Sequence, residues 1–112
     1  MNRLDQLFAQ SQREIEAHAV EIAATASGRY YIDEAAHLLA GLRMWAQAQY
    51  RSDQVVRQIL EAGDATALQQ VARELRLMKN REATVASWPV EAIAKWPAEQ
   101  RTAVTSYALR AL

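Results

Sequence analysis

The chain has 112 residues, enough for one domain and too few for two independent cores. Thirteen basic residues balance thirteen acidic ones, so no net field draws it to nucleic acid or to an anionic membrane. Cysteine is absent, which excludes disulfides, thiolate metal sites and a thiol nucleophile.

The opening residues Met1-Asn2-Arg3-Leu4-Asp5 place an acid where a secretory signal needs an apolar run. Uncharged stretches such as residues 35–42 fall far short of the roughly 18 apolar residues of a membrane helix. The expectation is a cytoplasmic protein that does not meet a membrane. Alanine dominates the 51% hydrophobic fraction, so the larger hydrophobes are thinly spread and burial between copies would add stability.

Residues 2 to about 26 read as a long first helix, with Leu4, Phe8, Ile15, Ile22 and Ala26 on one stripe. Gly28 stands where a helix end takes a left-handed residue. A second helix is expected from Asp33, as N-cap, to Tyr50, with Ala35, Leu38, Leu39, Leu42, Trp45, Ala46 and Tyr50 on its main stripe. Ser52 caps a short third helix that Gly63 ends, and Asp64 caps a fourth with Leu68, Val71, Ala72, Leu75 and Met78 inward. Trp88-Pro89-Val90-Glu91 and Trp96-Pro97-Ala98-Glu99 are near copies, each reading as a helix start with Pro at the first position. No run alternates with period two. The fold class is an all-α bundle of about four main helices plus short helical segments, forming a single domain over residues 1–112.

Each histidine lies near carboxylates. Glu34-Ala35-Ala36-His37 has the Glu-x-x-His spacing of di-iron bundles, but His37 falls about 140° from the Leu38/Leu42 stripe and should face solvent. His18 lies within the first stripe, flanked by Glu14 and Glu21, and reads as a half-buried histidine bonded to a neighbour. Ser11 shares that stripe, which suggests a polar contact to another helix. No metal and no cofactor are expected. The serines sit in no nucleophile elbow and three scattered glycines cannot form a phosphate loop, so the chain does not read as an enzyme.

The fourth helix and its end carry Arg73, Arg76, Lys79 and Arg81. Residues 65–90 hold four basic and two acidic groups, a local charge of +2, which is meagre for gripping phosphates. The cluster also sits at a helix C-terminus, whereas helix-turn-helix proteins read bases with the N-terminal part. Two other surfaces read as stronger. His37, Ala40, Gly41, Met44 and Ala48 form a small-residue face opposite the leucine stripe, suited to burial in the bundle or to a dimer interface. Arg29, Tyr30 and Tyr31, placed in the bend after the first helix, combine residue types common at binding hot spots. Trp88 and Trp96, beside prolines, read as anchors that pin short helices to the core.

These residues match no family signature. The expectation is a small non-enzymatic module that binds another protein, homodimeric, and of the sequestering or inhibiting type seen in bacterial antiactivators and phage inhibitors. A DNA-binding regulator using the Arg73/Arg76 face is the second reading, and a metal- or ligand-binding bundle the third.

Overall fold

The computed structural model describes residues 2–112. Among these it contains seven α-helices and no strand, so the all-α bundle stands. They are α1 (Arg3–Ala17), α2 (Val20–Ala23), α3 (Ala26–Ala48), α4 (Asp53–Ala62), α5 (Ala65–Leu77), α6 (Arg81–Ala94) and α7 (Ala98–Leu109). The longest, α3, is the axis of the fold and packs against all six others or their flanking turns. Twelve of its residues are buried, among them Ile32, Leu38, Leu39, Leu42 and Trp45. No helix among the described residues is long and apolar enough to cross a membrane.

Three boundaries follow from local chemistry read directly in the sequence. Ser52 accepts a hydrogen bond from the Gln54 amide and opens α4. Gly63 ends it in the left-handed conformation at φ 59°, which a glycine adopts without a Cβ penalty. Asp64 then accepts from the Thr66 amide and opens α5. Val56, Leu60, Leu68, Val71 and Leu75 are all buried on the inner faces of this pair.

Other boundaries differ from the sequence reading. The first helix stops at Ala17 instead of running to Ala26, because the backbone turns at His18 and Ala19. Buried Ala19 and the partly buried Ile22 and Ala23 fold back onto the core through that turn. The next cap is Thr25, not Asp33: its hydroxyl oxygen accepts from the Gly28 amide at 3.0 Å and donates to the Ile22 carbonyl at 3.0 Å. Asp33 sits inside α3 and accepts a bond from Gln12 Nε2 of α1 at 2.8 Å. Gly28 is likewise helical, and its role is close approach. A Cβ there would stand 2.0 Å from the Ile22 carbonyl oxygen, so α2 could not lie against α3.

The two Trp-Pro copies also part ways. Pro89 lies within α6, whose N-cap is Asn80, bonded to the Ala83 amide at 2.8 Å. Only Pro97 marks a helix start, as the N-cap of α7. Pro89 has no amide hydrogen for the Val85 carbonyl, so α6 gives up one helical bond in its middle.

Helix α3 ends in a Schellman arrangement without glycine. The Tyr50 amide donates to the Gln47 carbonyl and the Arg51 amide to the Ala46 carbonyl, with Tyr50 held at φ 57°. That conformation costs an L-residue roughly 1–2 kcal/mol, and the 99% exposed Tyr50 side chain recovers nothing by packing. Tyr50→Gly is therefore expected to stabilise the fold by about 1 kcal/mol, raising the melting temperature by roughly 4 °C in a circular dichroism melt. A fall in melting temperature would mean that the tyrosine makes a contact in solution.

Candidate functional site

A mainly apolar groove lies where α1, α3 and α6 meet. Leu4 and Phe8, one turn apart, bring the edge of the α1 apolar stripe to it, with Asp5 beside them. Glu34 and His37 contribute the outer shoulder of α3. Val85, Ala86, Trp88 and Pro89 form the wall from α6. The cleft holds about 320 Å³, at the small end of ligand sites, and suits one or two side chains better than a large cofactor.

Two aromatic elements define its surface. The His37 ring stacks on Phe8 with centroids 4.2 Å apart and planes 22° from parallel. Trp88 is 60% exposed, against the expectation that it pins α6 to the core. Because α6 continues through Pro89, the helix phase that buries Ala86, Ser87 and Val90 turns the indole outward. An exposed tryptophan beside an apolar cleft offers a large contact area with few rotatable bonds.

The small-residue face of the second predicted helix is mostly interior. Ala40 is 1% exposed and Gly41 is buried against α6. A Cβ on Gly41 would meet Val90 Cγ2 at 2.8 Å and the Ala86 carbonyl oxygen at 2.9 Å. Met44 is partly buried against the core, and only His37 and Ala48 reach the surface. The five residues therefore do not form a free dimer face: its centre is used to pack α3 on α6.

Arg29, Tyr30 and Tyr31 lie in the first two turns of α3, not in a bend. Arg29 pairs with Glu16 of α1. Tyr31 is partly buried and meets Tyr107 of α7 at 6.3 Å. Tyr30, 54% exposed, meets Tyr31 edge-on at 5.5 Å and lies parallel to Trp96 at 6.4 Å. Each of the three thus has a partner within the fold.

The basic residues straddle the α5–α6 turn. Arg73 and Arg76 are exposed on α5, Lys79 occupies the turn at φ 56°, and Arg81 opens α6. Arg76 is held by Glu91 at 2.7 Å, which leaves Arg73, Lys79 and Arg81 as the cations of this cluster without a partner among the described residues. His18, read as half-buried, is exposed at the end of α1; its backbone amide donates to the Ile15 carbonyl and its backbone carbonyl accepts from Arg110. The carboxylates that flank it in sequence go elsewhere, Glu14 to Arg43 and Glu21 to Arg110. Backbone and Arg110 hydrogen bonds hold the Glu21 carboxyl below its ordinary value. Among the described residues no three His, Cys, Asp or Glu side chains converge as a metal site would need.

Sequence reasoning missed Arg43, an arginine of α3 that is only 3% exposed. Its guanidinium donates to Ser11 Oγ at 3.0 Å, to Glu14 at 2.7 Å and to Asp53 at 3.1 Å, tying α1, α3 and α4 together. Burial by itself would lower its pKa, but the bonds and charges of Glu14 and Asp53 outweigh that and leave it raised. The signal was available: Arg43 follows Leu39 by one turn and precedes Ala46 by another, and Ser11 lies on the facing stripe. All of its donors in this network go to residues of its own chain, which makes it a strut.

Compared with protein-family models, with curated proteins and with solved structures, the chain matches none.

Proposed function

We propose that this chain is a small non-enzymatic module that binds another protein, in the manner of a sequestering or inhibiting regulator. The α1/α3/α6 groove receives an apolar side chain of the partner. The observation that carries this reading is the exposed Trp88 standing beside an apolar cleft of side-chain size. Isolated exposed hydrophobes are ordinary on protein surfaces, but a tryptophan contiguous with Leu4, Phe8 and Pro89 makes a patch with a concave centre.

Truncating a tryptophan at an interface centre typically costs about 2 kcal/mol or more, a roughly thirtyfold loss of affinity. Capture of partners from cells that make this protein should therefore fail with Trp88→Ala, while thermal melting stays close to wild type. Tyr30→Ala is expected to do the reverse, because Tyr30 packs on Tyr31 and Trp96. If Tyr30→Ala abolishes capture at unchanged melting and Trp88→Ala does not, the binding surface is the tyrosine face and the groove reading fails.

A further inference from the structure

We infer that the groove selects a basic amphipathic helix of its partner, with an aliphatic residue in the cleft and Lys or Arg against Asp5 and Glu34. This rests on the groove being the binding surface. The groove carries two carboxylates and no lysine or arginine, so its fixed charge is negative within a chain of zero net charge. These carboxylates are unusual in the molecule. Of the thirteen acids, only Asp5, Glu34 and Glu99 lack a side-chain or backbone partner among the described residues, and two of those three line one cleft. The α1 macrodipole accounts for an acid at Asp5, in the first turn. Glu34 lies in the third turn of α3, where no such account applies.

Val85, whose carbonyl has no amide donor at Pro89, also lines the groove from α6. Carboxylates on α1 and α3 thus flank an apolar centre that no lysine or arginine among the described residues lines. A helix suits this layout because its residues at i, i+3 and i+4 set an apolar anchor beside flanking cations on one face. An acidic segment would meet like charge at both rims, and a purely apolar one would bury carboxylates without compensation.

The test uses two labelled model peptides of about 18 residues that share one leucine stripe and carry either lysine or glutamate on the polar face. Fluorescence polarisation at low ionic strength should show the lysine peptide binding about tenfold more tightly. The preference should disappear in the Asp5→Asn, Glu34→Gln double variant and shrink in about 1 M salt. Trp88→Ala should weaken both peptides. Equal binding of the two peptides, still weakened by Trp88→Ala, would overturn the charge selection and leave the groove in place. Binding of neither peptide, or binding indifferent to Trp88→Ala, would overturn both. Glu34→Gln alone, on the surface of α3, serves as a second variant should the double substitution lower the melting temperature.

Discussion

Replacing Arg43 by alanine is expected to lower the melting temperature by roughly 10 °C, corresponding to a loss of about 2–4 kcal/mol. The substitution removes five donors from a position 3% exposed and leaves Ser11 Oγ, itself buried, without its partner. It also leaves two carboxylates facing the vacated space. Glu14 and Asp53 are 34% and 51% exposed, so they can turn toward water, and the cost falls short of a fully buried ion pair. Arg43→Met should cost less, because it keeps the packing of the stem while losing the charge. The pH dependence has a definite sign. A cation whose pKa is raised on folding contributes stability that is complete below its unfolded value and is lost as pH rises through the folded one. Arg43 is raised from an already high value, so the wild-type advantage should stay flat between about pH 6 and 10. Urea denaturation across that range measures it, and an advantage that vanished below pH 10 would show that Arg43 does not hold the network together.

The second large effect is expected at Gly41. Two constraints meet there, the Val90 side chain and the Ala86 backbone carbonyl, each under 3 Å from where a Cβ would stand. A side chain such as Val90 can rotate, but the carbonyl belongs to α6 and moves only with the helix. Gly41→Ala trades a gain in helix propensity of about 1 kcal/mol against overpacking of about 1–3 kcal/mol, and a net loss should result. Gly41→Leu has no such balance and should cost about 3 kcal/mol or more, separating α6 from α3. Near-ultraviolet circular dichroism should lose its aromatic signal before helical content falls. A Gly41→Leu protein that melted like wild type would place this face in solvent and restore it as a dimer surface.

What the sequence made legible was local. Ser52, Gly63 and Asp64 announce their boundaries because capping and left-handed turns depend on one or two residues. The break at His18 and Ala19 carries no glycine or proline, and it exists because the following turn finds a place on α3. Gly28 and Pro89 misled for a related reason. Each type has more than one structural use, and tertiary packing chose close approach for Gly28 and a helix interior for Pro89. Periodicity identified both faces of α3 as apolar, yet could not tell a partner helix in the same chain from one in another. Ser11 did signal a polar contact between helices, and the structure supplies its partner in Arg43. The groove was the least legible feature. Its nine residues come from three separate helices, and Trp88 turns outward only because α6 runs on through a proline.

The most direct measurement of the groove as a protein-binding surface is site-specific photo-cross-linking in the cells that make this protein. A photoreactive phenylalanine analogue at position 88 places the reactive group at the mouth of the cleft, and the same analogue at the exposed Gln58 of α4 serves as the control. One dominant adduct is expected from position 88, absent from position 58, mapping to a helix of the partner where a basic residue stands within one turn of an aliphatic one. Adducts of equal yield from both positions, or none from position 88 when position 58 reacts, would contradict it.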